Sequence, residues 1–183
     1  MRTTGPGQSP HLLLDVLEIL KKEKVDYAIV GALAASFYGI VRGSLDADAV
    51  ISLAFPSLRG LEKTFKKAGF TTDLRRGDPD DPIGALLAIT DKHRNRVDLL
   101  TGIRGMDPTA FSRTVEAPFL DKRIRMIGVE DFIAMKIYAG SPKDLEDAKN
   151  ALAVSEKSID HTLLEKVARR FGVSTLKVLK TLL

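Results

Sequence analysis

The chain has 183 residues, and its 28 basic and 24 acidic side chains leave a net charge of +4. That length suits one domain, or one domain with a small helical appendage, and is enough to bury a substantial core. The absence of cysteine excludes a disulfide framework, a thiolate metal site and a cysteine nucleophile. The small basic excess favours anionic partners such as nucleotides but does not alone imply nucleic-acid binding. Because no apolar run approaches the ~20 residues that cross a bilayer and no signal core is present, we expect a cytoplasmic protein without a membrane segment.

The first part of the chain alternates between helices and strands. Ser9 followed by Pro10 predicts a helix start, with the serine side chain as the cap, and the helix runs to about Lys24. Tyr27–Val30 is predicted as a short strand that leads into Gly31. The elements predicted next are a packed helix over 32–38, a strand over 45–53, an amphipathic helix over 56–69 and a strand over 70–74.

The middle of the chain predicts a loop and then a hairpin. Residues 75–82 combine arginine, glycine, proline and aspartate, which is typical of an exposed loop. Residues 84–90 and 96–100 are predicted strands joined by a polar turn at 91–95. The second strand of this hairpin therefore lies in the same small sheet as its predecessor.

The last part of the chain is predicted to be mainly helical. A short helix starts at Asp107, and a basic strand covers 119–127. From residue 129 onward the chain is helical, with breaks near 140–142, 155–160 and 172. The pattern predicts an α/β (α+β) protein with a core domain over 1–128 and a C-terminal helical subdomain over 129–183 packed on it.

Three aspartates are the candidate catalytic and metal-binding residues. Asp46 and Asp48 lie two apart on one predicted strand, so their side chains share a face about 6.6 Å apart along it. Asp98 lies on a second predicted strand. Carboxylates grouped in this way repel one another unless a cation lies among them, and oxygen-only ligands suit Mg²⁺ or Mn²⁺. The alternative is a solvated strand end without a metal.

A lysine and two further aspartates follow on the helices. Lys136 lies in the middle of an apolar stripe over 129–140, where a lysine either extends to the edge or meets an anion in a cleft. Ser141 is a predicted helix cap with Asp144 as its partner three residues on. Asp144 and Asp147 face the same way on that helix. A plain helix start would account for this segment without any function.

Five motifs follow one another along the chain, at Gly31–Ala34, Arg42–Asp48, Val97–Leu100, Met135–Gly140 and Lys143–Asp147. Together they resemble the DNA polymerase beta-like nucleotidyltransferase superfamily, and most closely its minimal nucleotidyltransferases and the nucleotidyltransferase toxins of abortive-infection systems. The resemblance covers about residues 10 to 182. Two departures are an alanine after Gly31, where many members have a second glycine, and the small residues Ala47 and Ala49 beside Asp48. The matching stretches are Gly31-Ala32-Leu33-Ala34, Arg42-Gly43-Ser44-Leu45-Asp46-Ala47-Asp48, Val97-Asp98-Leu99-Leu100, Met135-Lys136-Ile137-Tyr138-Ala139-Gly140 and Lys143-Asp144-Leu145-Glu146-Asp147.

The resemblance implies a small mixed sheet flanked by helices and an enzyme that transfers a nucleoside monophosphate from an NTP such as ATP to a hydroxyl, with magnesium or manganese. In this reading Gly43 and Ser44 donate hydrogen bonds to the phosphates, and Arg42 adds positive charge there. A plain turn and a surface arginine are the alternatives for these residues. The resemblance further implies that Lys136 points toward the nucleotide. The supporting residues would be Gly31, Lys143, Asp144 and Asp147.

The acceptor and the partners are left open by the sequence. A tRNA end, a protein side chain or a small molecule would each supply the hydroxyl, and an antitoxin partner is implied only by the resemblance to toxins. A non-catalytic nucleotide- or RNA-binding module with the same fold is the main alternative. A DNA-binding regulator is a third reading, because residues 167–174 resemble the turn of a helix-turn-helix. The largely apolar residues 174–183 favour a packed helix pair instead.

Overall fold

The computed structural model describes residues 1–40 and 46–183. The predicted phosphate-binding residues Arg42, Gly43 and Ser44 lie outside the described part of the chain. The chain divides into two compact units. The first unit comprises Met1–Ala32 and Gly43–Arg104, and the second comprises Leu33–Arg42 and Gly105–Leu183. The sequence-based division between residues 128 and 129 stays a prediction.

The first unit contains a sheet whose strands are ordered β3-β4-β5-β2-β1. β2 and β5 run parallel, whereas the pairs β1–β2, β3–β4 and β4–β5 are antiparallel. Helix α2 (Gly31–Phe37) starts directly after β1. The other elements are α1 (Ser9–Lys22), β1 (Tyr27–Val30), β2 (Asp46–Ile51), α3 (Phe55–Lys67), β3 (Thr71–Arg76), β4 (Ala85–Thr90) and β5 (Arg96–Thr101).

Alternating burial along β5 separates two faces of this sheet. Val97 and Leu99 are fully buried, whereas Arg96 and Asp98 are half-buried. Because successive strand residues point to opposite faces, the charged pair lies on the more open face. α1 packs against β2 and β5, and α3 packs against β3 and β4. α1 buries an apolar stripe that includes Leu13.

The second unit is mainly helical. Helix α4 packs against the three helices that follow it. Ser141 caps α5, accepting a hydrogen bond from the Asp144 backbone N–H at 3.1 Å, as the sequence predicts. The ring centroids of Phe171 and Tyr138 lie 5.0 Å apart, and this aromatic contact joins α6 to α4. The elements are a 3-10 helix (Pro108–Arg113), β6 (Val115–Phe119), β7 (Lys122–Met126), α4 (Val129–Ala139), α5 (Pro142–Ser155), α6 (His161–Phe171) and α7 (Val173–Leu182).

Three local predictions are wrong. The residue that precedes α1 is Gln8 rather than Ser9; Ser9 lies inside the helix, buried, and its hydroxyl accepts a hydrogen bond from the Arg96 backbone N–H. β3 continues through Arg76, so the exposed loop begins only at Gly77. The single basic strand over 119–127 is a hairpin of β6 and β7 that turns at Leu120, whose φ is 52°.

The fold class is confirmed as mixed α/β, with parallel and antiparallel strand pairs and flanking helices. The predicted hairpin of 84–90 with 96–100 is present as β4 and β5. Within residues 1–40 and 46–183, no helix combines the length and the apolar character that a membrane crossing requires.

Candidate active site

The parallel pairing of β2 with β5 brings two of the three predicted aspartates opposite each other. Asp48 is the register partner of Asp98, and Asp46 is the register partner of Arg96. Asp46 and Asp48 lie two apart on β2, so all four side chains share one face of the sheet. Asp46 is exposed and Asp48 is half-buried. The arrangement forms a charged group at the start of two neighbouring parallel strands.

Gly31 supports the position of Asp48. Val30 is the register partner of Asp48, and Gly31 follows it with φ of +63°, in the left-handed region that side-chain-bearing residues rarely adopt. A Cβ atom at this position would lie 2.1 Å from Oδ2 of Asp48. The first residue of α2 must therefore be glycine for the Asp48 carboxylate to occupy its place. The supporting role in catalysis that the resemblance implies for Gly31 stays a prediction.

Asp98 is held by an arginine that sequence reasoning did not single out. Arg96 Nε donates to Asp98 Oδ1 at 2.7 Å, and Arg96 Nη2 donates to Oδ2 at 3.0 Å. These hydrogen bonds raise the pKa of the Arg96 guanidinium; burial opposes them, and the negative charges of Asp98, Asp46 and Asp73 reinforce them. The signal in the sequence was an arginine two residues before an aspartate on one strand face.

The donor chemistry of the aspartates fits a hard divalent cation, but their arrangement fits it only in part. In the part of the chain that the structure describes, no three acidic or histidine side chains are grouped closely enough to hold a metal ion together. Asp46 and Asp48 present oxygen donors from one face of β2, whereas both oxygens of Asp98 are engaged by Arg96. The metal ligation predicted for all three aspartates therefore stays a prediction.

Lys136 comes together with Asp144 and Asp147 in the second unit. Lys136 Nζ lies 2.7 Å from Oδ1 of Asp144 and 2.8 Å from Oδ2 of Asp147. The side chains of Lys136 and Asp147 are only 11% and 4% exposed. A lysine on an apolar helix stripe thus meets anions, and those anions are carboxylates of this chain. The nucleotide contact implied for Lys136 stays a prediction.

Lys143, the remaining supporting residue, lines a cavity of about 410 Å³ in the second unit. The polar side of this cavity is the face of α5 that carries Glu146 and Asn150. The opposite side is formed by Gly39 and Ile40, which follow α2. Asp147, a partner of the buried Lys136, also lines this cavity.

A second buried ion pair in this unit was not foreseen. Arg113 Nε lies 2.9 Å from Oδ2 of Asp131, and Nη2 lies 2.7 Å from Oδ1. Asp131 is 1% exposed, and burial raises the pKa of its carboxyl despite the arginine. The pair joins the 3-10 helix to α4 and fixes how that helix enters the bundle. The local spacing patterns of helices and strands do not predict a contact between two residues that are 18 positions apart.

Comparison with known proteins identifies the fold. No family model and no curated protein matches the sequence. Among solved structures, the antibiotic-resistance factor ANT(2'')-Ia aligns over 95% of this chain and 96% of its own, with a TM-score of 0.62 and 15% identity. A Thermotoga maritima protein provisionally assigned as a nucleotidyltransferase aligns over 82% and 96%, with a TM-score of 0.58 and 14% identity.

A third similar structure is the lincosamide antibiotic adenylyltransferase LnuA, which aligns over 78% of this chain and 95% of its own, with a TM-score of 0.50 and 13% identity. The likeness extends over nearly the full length of each of these proteins, although the sequences have diverged widely. The chain therefore has the nucleotidyltransferase fold, as the order of its motifs predicts.

Proposed function

We propose that this protein is a nucleotidyltransferase that moves a nucleoside monophosphate from an NTP to a hydroxyl and releases pyrophosphate. The observation that carries the proposal is the register of Asp48 opposite Asp98 on adjacent parallel strands, with Asp46 on the same face. In a chain with this fold, that register groups carboxylates on the open face of the sheet. Nucleotidyl transfer relies on positioning and charge stabilisation, which such a group supplies when it binds cations.

The metal proposed for this site is Mg²⁺ or Mn²⁺. Asp46 and Asp48 would be its main ligands, and Asp98 would complete the site. Bound divalent cations stabilise the charge that develops on the attacking and leaving oxygens. Without the metal, the chain's own contribution is to hold Asp48 against Gly31 and to orient Asp98 beside Arg96.

The nucleotide contacts rest on the sequence motif. Arg42, Gly43 and Ser44 are proposed to bind the triphosphate, because the sequence Gly43-Ser44 closely precedes Asp46 and a turn there would offer backbone N–H groups and a hydroxyl. Lys136 keeps its proposed nucleotide contact, with Asp144 and Asp147 holding its ammonium group in place. ATP is the first nucleotide to test, and an NTP substrate is consistent with the expected cytoplasmic location.

A small molecule is the acceptor that the comparisons favour. A second structure of ANT(2'')-Ia, with a TM-score of 0.60 and 17% identity over 90% of this chain, is a complex with adenylyl-2''-tobramycin. The LnuA structure contains lincomycin. We therefore propose a hydroxylated small molecule as the first acceptor class to test, ahead of a tRNA end or a protein side chain. A toxin-like role with an antitoxin partner has only the sequence resemblance in its favour.

One observation favours a second candidate, a non-catalytic nucleotide- or RNA-binding module. Both oxygens of Asp98 are engaged by Arg96, and the described residues contain no group of three acidic side chains that could hold a metal. A protein of this kind would bind NTP without turning it over. Pyrophosphate release separates the two functions directly.

The test is incubation of the protein with Mg²⁺ or Mn²⁺ and each α-labelled NTP in turn. The acceptors are a panel of aminoglycosides and lincosamides, total RNA and a protein extract, with the protein alone as a further sample. Label transferred to an acceptor, with pyrophosphate released in equal amount, would support the proposal. Binding of NTP with no pyrophosphate from any acceptor would favour the binding module.

A further inference from the structure

Arg96 places a positive charge inside the candidate metal site. It is the register partner of Asp46, and its guanidinium grips Asp98 two residues further along the same strand face. Its backbone N–H donates to the Ser9 hydroxyl at 3.1 Å, which fixes the start of β5 against α1. The guanidinium is therefore a positioned group rather than a loosely attached surface charge.

The contact with Asp98 uses both carboxylate oxygens at once. Two parallel N–H···O bonds between an arginine and a carboxylate form the strongest common geometry for this pair. Each Asp98 oxygen keeps one lone pair beside the one that accepts from Arg96. A metal that binds Asp98 either displaces an N–H donor or lies close to the positive guanidinium. Arginine and metal thus make competing demands on one carboxylate, and each relieves the repulsion among neighbouring aspartates.

We infer that Arg96 is an internal counterion of the active site, which competes with the divalent metal for Asp98 and thereby sets the protein's affinity for that metal. Arg96 is in this sense a positioning residue. It holds the Asp98 carboxylate in one orientation in the metal-free chain, and its hold on Asp98 would weaken when a metal binds there. The inference rests on the proposed function only in taking Asp46, Asp48 and Asp98 as the metal ligands.

β3 supplies a matched control with the same chemistry. Arg75 pairs with Asp73 at the same spacing of two residues, with Nε 2.7 Å and Nη2 2.6 Å from Oδ2. The Arg75 and Asp73 side chains are 66% and 52% exposed, against 35% and 17% for Arg96 and Asp98. β4 and β5 separate β3 from β2, so this pair lies farther from Asp46 and Asp48 than Arg96 does, although the charge of Asp73 acts on Arg96.

The experiment measures Mn²⁺ affinity from the paramagnetic resonance signal of the free ion, without nucleotide. Arg96→Met removes the charge and the donors while keeping much of the side-chain length. Because a competing cation is removed, we expect Mn²⁺ to bind about tenfold more tightly than to the wild type. Arg75→Met is expected to change the affinity much less, because its partner Asp73 acts on the site only through its charge. When Arg96→Met is added to Asp98→Asn, we expect no gain in Mn²⁺ affinity over Asp98→Asn alone, because the effect of Arg96 acts through Asp98.

Unchanged or weaker Mn²⁺ binding in Arg96→Met would overturn the inference, as would an equal gain in Arg75→Met or a gain that survives Asp98→Asn. Arg96→Gln is the second neutral variant if Arg96→Met does not fold, as judged by circular dichroism. The outcome is separable from that of the proposed function. Tighter Mn²⁺ binding by Arg96→Met, with no NTP turnover by the wild type, would retain the inference and reject the proposed enzyme. NTP turnover by the wild type, with unchanged Mn²⁺ affinity in Arg96→Met, would support the enzyme and reject the inference.

Discussion

Gly31 lies so close to Asp48 that any other residue at position 31 would displace the Asp48 carboxylate. The carboxylate oxygen Oδ2 of Asp48 lies 2.1 Å from the point where a Cβ on Gly31 would stand, and the backbone at Gly31 has φ of +63°. Two separate physical causes, steric overlap and backbone strain, therefore require glycine at the start of α2.

Gly31→Ala is predicted to displace Asp48 and to abolish nucleotidyl transfer. The strained backbone is expected to lower the free energy of unfolding by about 1–3 kcal/mol, measured by urea denaturation. Gly60→Ala is the matched control, because Gly60 lies within α3 and a Cβ there meets no atom within 4 Å. It is expected to retain transfer and to gain up to about 1 kcal/mol. Full activity in Gly31→Ala would contradict the placement of Asp48.

Lys136→Met is predicted to destabilise the second unit. It would leave Asp144 and Asp147 without the ammonium group that lies between them, and Asp147 is almost completely buried. Removing one partner of a buried ion pair costs about 3–5 kcal/mol, and the partial exposure of Asp144 places the expected loss near the lower limit. Thermal and urea unfolding measure it.

Lys149→Met controls for the loss of a lysine, since Lys149 is an exposed residue of the same helix bundle. We expect its unfolding free energy to change by no more than about 0.5 kcal/mol. If Lys136→Met were as stable as Lys149→Met, the ion pairs of Lys136 would contribute nothing to folding.

Asp91 is predicted to make the first unit sensitive to acid. Burial alone would raise the pKa of its carboxyl, but hydrogen bonds from the Asn95 side chain and backbone and from the His93 backbone help to outweigh burial and lower it. The unfolded chain therefore binds a proton at this position more readily than the folded chain. The stability that Asp91 contributes is present above its ordinary pKa of 3.8 and is lost as the pH falls through the lower value in the folded state.

The measurement is the free energy of unfolding of wild type and Asp91→Asn between pH 7 and about pH 2. We expect the wild type to lose more stability across this range than the variant does. Asp80→Asn, a change in the exposed loop, is expected to follow the wild type. Equal pH dependence in the wild type and Asp91→Asn would show that the hydrogen bonds at this turn do not favour the charged carboxylate.

Much of the fold was predictable because local patterns determine it. The apolar stripe of α1, the alternation in β5 and the Ser141 cap of α5 are each encoded within one or two turns or a single strand. The hairpin of β6 and β7 was missed because its outer residues are exposed and show little alternation; Val115 itself is 43% exposed. Ser9 was assigned to capping because the sequence does not show that β5 approaches it.

The candidate site was predictable in composition and less so in detail. The spacing of Asp46 and Asp48 fixes their common face, but the register that sets Asp48 opposite Asp98 depends on a parallel pairing between strands far apart in the chain. The Arg96 contact depends on side-chain geometry, which spacing alone does not define. Helix phase predicts that Asp144 and Asp147 face the same way, whereas their contact with Lys136 follows from how α4 and α5 pack.

The central claim is that Asp48 belongs to a metal-dependent centre for nucleotidyl transfer. The most direct measurement is metal-dependent transfer of label from α-labelled NTP by the wild type and by Asp48→Asn, with Asp121→Asn in the exposed turn of the β6–β7 hairpin as control. We predict that Asp48→Asn folds as the wild type does and loses at least about 100-fold in rate, while Asp121→Asn keeps full activity. Transfer by Asp48→Asn at the wild-type rate would contradict the account.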